Sequence, residues 1–406
     1  MRALVILTLG VALLGAFLAF ILKPPRQVVE ATRWVPARFS DLAGWNDDDE
    51  SAALAAFLRS CTRFDGQADT KSLGPYGTVA LWRPACAAGR AVPTGDAAAA
   101  RHFFQTQFVP FKVEAGDNAE GLFTGYYTPR LKGSLTPSER FHVPLLARPD
   151  DLVMVDLGQF RPELKGQRIA GRVRDGNLVP YADRARLEAE MATGASPRPV
   201  VLWLEDPVDA FFLHIQGSGE ITLESGGTVR AVYDGQNGYP YTAIGRVLRD
   251  EGAIEKGKVS MQSIRDWLET HADQAQAMMN NNASFVFFRI LTIEDPSLGP
   301  PGAQGVPVTP GRTLAIDDGV HGYGVPMWIE TAPPAPDLLG GDQPIRRLMI
   351  AQDTGGAILG AVRGDYYWGT GDEAGAIAGK MAATGTMTVL VPPAVAPLLP
   401  TAGETK

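Results

Sequence analysis

A chain of 406 residues with 45% apolar and 20% charged residues can fold into two or three globular domains. Its net charge of −8 and the absence of a concentrated basic stretch exclude a surface built for nucleic acid or anionic lipid. Forty-five Gly and 31 Pro are too many for a helical bundle and suit short strands joined by tight turns.

The chain opens with an uncharged run from Ala3 to Leu22, flanked by Arg2 and by Lys23 and Arg26. At about 1.5 Å per residue this run spans the roughly 30 Å hydrocarbon core of a bilayer. A cleaved signal has a shorter apolar region and a small-x-small site, for which Leu14-Gly15-Ala16 is only a weak candidate. We therefore expect residues 1–27 to be a retained membrane anchor, with a cleaved signal as the alternative and a buried core helix as the third reading. Either of the first two exports the remainder. No Cys lies near this segment, which rules out a lipoprotein anchor. Export favours a disulfide between the only two cysteines, Cys61 and Cys86, over two unrelated buried thiols. Two Cys and five scattered His, without HExxH or CxxC, offer no metal site, and no cofactor is expected.

After Pro24-Pro25, acidic residues cap a helix carrying Leu54, Phe57 and Leu58, and a second helix follows Thr94. Short β-type runs come next, at 200–204, 210–217 and 227–235. Helical spacing returns with Ile244, Val247 and Leu248, and again with Ile264, Trp267 and Leu268 behind a Ser260 cap. Strands resume at 284–291, 325–330, 346–353 and 386–392. Helix-rich and strand-rich stretches alternating in this way predict a mainly β chain with helices (α+β), in which one domain interrupts another.

Three carboxylates stand out near the end: Asp317 in "TLAIDDG", Asp353 in "AQDTGGAILG" and Asp365 in "RGDYYWGTG". Asp353 ends an apolar strand, and Asp365 precedes Tyr366, Tyr367 and Trp368, whose rings can stack on sugars and desolvate the acid. Raising an Asp from about 3.9 to about 6 makes it a feasible general acid for a glycosidic oxygen. Asp beside Gly is equally common in turns, and Tyr-Tyr-Trp fits a strand core, so spacing leaves both readings open.

Motifs spread over most of the chain break the tie. "GLFTGYYTPRLKGS", "DPVDAFFLHIQGSG", "VRAVYDGQNGYPYTAIGRVL", "NNASFVFFRIL" and "GVPVTPGRTLAIDDG" occur in one order, and together they resemble the membrane-bound lytic murein transglycosylase A family with its C-terminal three-aspartate domain. The resemblance implies a double-psi β-barrel interrupted by a second β-barrel, with a glycan strand in the groove between them. On this reading the first barrel takes residues 28–130 and 239–400 and the inserted barrel takes 131–238. The implied reaction is non-hydrolytic cleavage between N-acetylmuramic acid and N-acetylglucosamine, leaving a 1,6-anhydromuramic end, in the bacterial envelope on the periplasmic side of the inner membrane. Peptidoglycan strands are the implied partner, beside the membrane itself.

By motif position the resemblance assigns Asp365 as the catalytic acid/base and Asp353 and Asp317 as its supports. It places Tyr127, Thr128, Gln216 and Ser218 along the groove, where Tyr367 and Trp368 are expected to meet sugar as well. Two departures, Leu359 where some members carry Lys and Asn282-Ala283-Ser284-Phe285 where "NPSYVFF" is usual, touch no aspartate. The competing readings are a glycoside hydrolase on the same barrel and a non-catalytic wall-binding protein.

Overall fold

Residues 31–400, apart from 162, 163, 165, 166 and 194–197, are described by a computed structural model. The expected anchor at 1–27 lies outside the described residues. Among those residues no helix is long and apolar enough to cross a membrane.

Strand β1 (Thr32–Pro36) leads to helices α1 (Glu50–Asp65), α2 (Arg83–Arg90) and α3 (Ala97–Gln107), then to β2 (Val109–Ala115) and β3 (Glu120–Thr128). The acidic caps behave as expected. Asp49 accepts the Ser51 N–H at the start of α1, and Asp96 accepts the Ala99 N–H at the start of α3. Cys61 on α1 and Cys86 on α2 form the expected disulfide.

The middle of the chain supplies β4 (Arg130–Ser134), β5 (Val143–Leu146), β6 (Val153–Asp156), β7 (Arg168–Arg174), β8 (Asn177–Pro180), α4 (Arg184–Ala192) and β9 (Val200–Leu204). It continues through α5 (Pro207–Gln216), β10 (Ser218–Leu223), β11 (Thr228–Gln236), α6 (Ile244–Asp250), α7 (Met261–Thr270), α8 (Ala272–Met279) and β12 (Val286–Thr292). The last part holds β13 (Thr313–Ile316), β14 (Pro326–Thr331), α9 (Pro336–Leu339), β15 (Ile345–Asp353), β16 (Arg363–Thr370), α10 (Asp372–Ala378) and β17 (Ala382–Val391).

One expected element changes type. Residues 210–217 lie in helix α5 and its cap, not in a strand. Asp206 accepts the N–H groups of Val208 and Asp209, Pro207 opens the helix, and Gly217 ends it in a left-handed conformation. The run reads as β because it is apolar all round. Ala210 and Leu213 pack on the second sheet, while Val208, Phe211 and Phe212 pack on α6, α7 and α8, so both faces are buried.

The first sheet runs β1-β2-β17-β14-β15-β13-β16-β3, and β3 pairs back onto β17, which closes the last six strands into a ring. Two of its pairs, β13 with β15 and β16 with β3, are parallel. Its apolar residues, among them Leu314, Met327, Ile350 and Val389, form one core with Phe57, Phe64, Trp82 and Phe104 of the N-terminal helical region. The second sheet runs β12-β11-β10-β4-β9-β5, and a bridge between Ala147 and Phe288 joins its two edges. A three-stranded sheet, β6-β7-β8, stands beside it. Strand β12 therefore belongs with the second sheet, although the sequence reading ended that unit at residue 238. The intervening helices α6–α8 pack on α5 and hide the continuity.

Candidate active site

The strand register assembles the site. Ala315 on β13 lies opposite Asp353 on β15 and opposite Asp365 on β16, so the two acids sit in one row across three neighbouring strands. Two strand spacings put their backbones about 10 Å apart. Asp317 follows the end of β13 and completes the trio.

Asp365 is paired across β16 and β3 with Thr124, whose hydroxyl donates to Oδ1 at 2.7 Å. The Arg363 guanidinium donates to the same Thr124 oxygen at 2.8 Å. Burial raises the Asp365 carboxyl to about 6, with the Asp353 charge adding to the rise, while the Thr124 hydrogen bond and Arg363 oppose it. The residue is half-buried. It thus combines exposure to a ligand with a pKa close to neutrality, which general acid/base chemistry requires.

Asp353 is held from three directions. Its Oδ2 accepts the Tyr126 hydroxyl at 3.0 Å, and its Oδ1 accepts the N–H groups of Ala303 and Thr354, each at 2.9 Å. Burial raises its pKa, and these three donors restrain the rise. Burial, then the Asp353 charge, pushes the Tyr126 phenol well above its ordinary range and keeps it a donor. The segment over Asp353 must approach closely: a Cβ on Gly302 would lie 2.6 Å from the Gln352 carbonyl, and one on Gly299 would lie 2.3 Å from the Tyr367 hydroxyl.

Asp317 works on the backbone. Its Oδ1 accepts the Gly319 N–H at 2.9 Å and its Oδ2 the Gly360 N–H at 2.7 Å, pinning the glycine-rich bend that joins β15 to β16. Thr354 donates from its hydroxyl to the Ile316 carbonyl at 2.6 Å and fixes the other end of that bend. His321 helps from beneath: its Nε2 hydrogen-bonds the Ala361 carbonyl at 2.7 Å and its Nδ1 the Tyr76 hydroxyl at 2.6 Å. The phenol is then the donor to Nδ1, and burial lowers the imidazole pKa, consistent with a neutral ring.

The aromatic expectations divide. Tyr367 shares the Asp365 side of β16 but is fully buried, its hydroxyl 2.8 Å from that of Thr128, so it offers no open face to a sugar. Trp368 points to the opposite side, with its ring 4.4 Å from Tyr366 and its Nε1–H directed at Met381 Sδ. Tyr127 is buried against Gly375 of α10, and Thr128 is buried too. Gln216, at the end of α5, accepts the Tyr127 N–H at 3.2 Å and ties the second sheet's helix to β3. Ser218 opens β10, half-buried and opposite Val232. Thr124 and Tyr126 were not anticipated. The signal was the period of two along "FTGYYTP", which puts residues 124, 126 and 128 on one face and 127 on the other.

Two family models match the chain: an MltA specific insert domain over residues 122–289 and a 3D domain over residues 312–391. The Escherichia coli K12 membrane-bound lytic murein transglycosylase A is 32% identical over 276 residues, which is 66% of this chain and 65% of that protein. A crystal structure of a membrane-bound lytic murein transglycosylase from Agrobacterium tumefaciens superposes with a TM-score of 0.78 at 31% identity, covering 90% of this chain and 99% of that one. Escherichia coli MltA with bound chitohexaose superposes with a TM-score of 0.62 at 26% identity, covering 91% of this chain and 93% of that one. The insert model spans β4 to β11 and most of β12, and the 3D model spans all three aspartates. The chain belongs to the membrane-bound lytic murein transglycosylase A family.

Proposed function

We propose that this chain is a lytic transglycosylase that cleaves the β-1,4 bond between N-acetylmuramic acid and N-acetylglucosamine, leaving a 1,6-anhydromuramic end. Asp365 acts alone as acid and then base. Its protonated carboxyl donates to the glycosidic oxygen as the C1–O bond breaks. The carboxylate so formed removes the proton from the muramic C6 hydroxyl, whose oxygen bonds to C1, and the acid is regenerated. The observation that carries this reading is the half-buried Asp365, raised to about 6 by burial and hydrogen-bonded to a hydroxyl. At pH 7 roughly a tenth of such a group is protonated, against about one in a thousand for an ordinary Asp. Asp353 raises Asp365 by its charge, and Asp317 holds the bend beside it.

The chitohexaose-bound relative supports a glycan strand as the ligand. The closed six-strand ring supports a double-psi β-barrel, and the joined edges of the second sheet support an inserted barrel running from β4 to β12. The apolar run at 3–22 supports an anchored enzyme on the periplasmic side of the inner membrane. Mass analysis of muropeptides released from purified sacculi tests the reaction. Products one water lighter than reducing muropeptides are expected, whereas reducing ends would identify a hydrolase that divides the work between two carboxylates.

A further inference from the structure

Resting on the transglycosylase reading, we infer that a cavity beside the three aspartates, between α1 and the 303–323 segment, takes the carboxylate-bearing stem peptide of the glycan strand. The cavity encloses about 370 Å³ and is lined by Arg63, Gln67, Lys71, Gln304 and Asp318 among others. It shares its wall with the catalytic region. Ala303 of that wall donates to Asp353, the Gln304 N–H bonds the Gln352 carbonyl at 3.1 Å, and Asp318 follows Asp317 in the chain.

The lining specifies the chemistry of its occupant. Arg63 and Lys71 are exposed and form no ion pair among the described residues, so the rim carries two uncompensated positive charges. The one acid in the lining, Asp318, is already matched by Arg168 at 3.0 Å and by the Tyr323 hydroxyl at 3.2 Å. Gln304 is buried, with its Oε1 accepting from Ser60 at 2.8 Å, while its Nε2 has no hydrogen-bond partner among the described residues. Gln67 Oε1 also has none. A donor and an acceptor short of partners beside two cations match a ligand that carries both amide and carboxylate groups, and an uncharged sugar supplies no anion for Arg63 and Lys71. Three extended peptide residues cover about 10 Å, the two strand spacings that separate Asp365 from Asp353, whose Oδ1 accepts the N–H of Ala303 in the cavity wall.

The experiment compares peptide-bearing glycan strands with the same strands stripped of peptide by an amidase, using the wild type and the double variant Arg63→Gln, Lys71→Gln. On peptide-bearing strands the variant is expected to raise KM about three- to tenfold with little change in kcat, an effect that shrinks with salt. On stripped strands its KM should match that of the wild type. Equal losses on both substrates would overturn the peptide assignment in favour of a sugar subsite or a folding defect, and no loss on either would overturn it outright. Wild-type inactivity on both would refute the transglycosylase reading instead. The cavity is then decided by titrating an alanyl-glutamyl stem peptide against both proteins, with binding by the wild type that the variant loses as the supporting result, and no binding by the wild type as the refuting one.

Discussion

The first sheet buries acids at two places and treats them in opposite ways. Asp48, buried just ahead of α1, meets the Arg312 guanidinium through two hydrogen bonds of 2.6 and 2.8 Å and also accepts the Leu348 N–H on β15. Asp365, on the same sheet, has a hydroxyl as its hydrogen-bond partner, and the guanidinium nearby is turned to Thr124. A fully paired buried acid holds structure, whereas an acid desolvated without an ion pair is left ready to exchange a proton. The contrast shows that burial alone does not mark a catalytic group in this fold. On the proposed mechanism, burial with the counter-charge diverted does.

Removing Asp48 should produce the largest change in stability. Asp48→Ala strands the buried Arg312 without its carboxylate and should lower unfolding stability by about 3 to 5 kcal/mol, read by denaturant melts, while the folded fraction keeps its activity. A loss below about 1 kcal/mol would break the comparison.

Asp365 should show the opposite sign. Its folded pKa lies above the unfolded one, so the native state binds more protons between about 4 and 6, and stability falls as pH rises through that window. Asp365→Asn should therefore stabilise the protein by about 1 to 3 kcal/mol near pH 7.5, with the gain fading below about pH 4. Melts of both proteins across pH check this, and a pH-independent difference would count against a strained acid.

Much of this was legible in the sequence. The acidic caps, the Cys61–Cys86 bond and the late strands follow from local chemistry, and motif order singled out the aspartates that the strand register brings together. What escaped depends on register and on distant partners. The ring closes because β3 pairs with β17, which no local pattern reports. Consecutive residues Tyr127 and Thr128 were both expected in the groove, yet strand alternation turns Thr124 and Tyr126 toward the acids. The Tyr-Tyr-Trp cluster likewise splits across two faces of β16, so its rings pack the fold more than they offer a platform. Helix α5 was read as a strand because its two apolar faces are buried by different partners, which only tertiary structure reveals.

A smaller effect sharpens the role assigned to Thr124. The account predicts that kcat/KM falls with rising pH above about 6, because the free enzyme must carry a proton on Asp365. Thr124→Val removes the hydrogen bond that lowers this pKa, so the falling limb should move upward by a fraction of a pH unit. A downward shift would contradict the assignment of the proton to Asp365.

The most direct measurement is release of anhydromuropeptides from purified sacculi by Asp365→Asn and Asp353→Asn, each checked for retained glycan binding. Asp365→Asn keeps the shape but cannot shuttle a proton, so its turnover should fall by at least about 10² to 10⁴-fold while binding persists. Asp353→Asn should fall less, since in the proposed mechanism that carboxyl acts through Asp365. Near-wild-type release by Asp365→Asn, with turnover abolished only in Asp353→Asn, would place the acid on the other side of the glycine-rich bend and contradict the account.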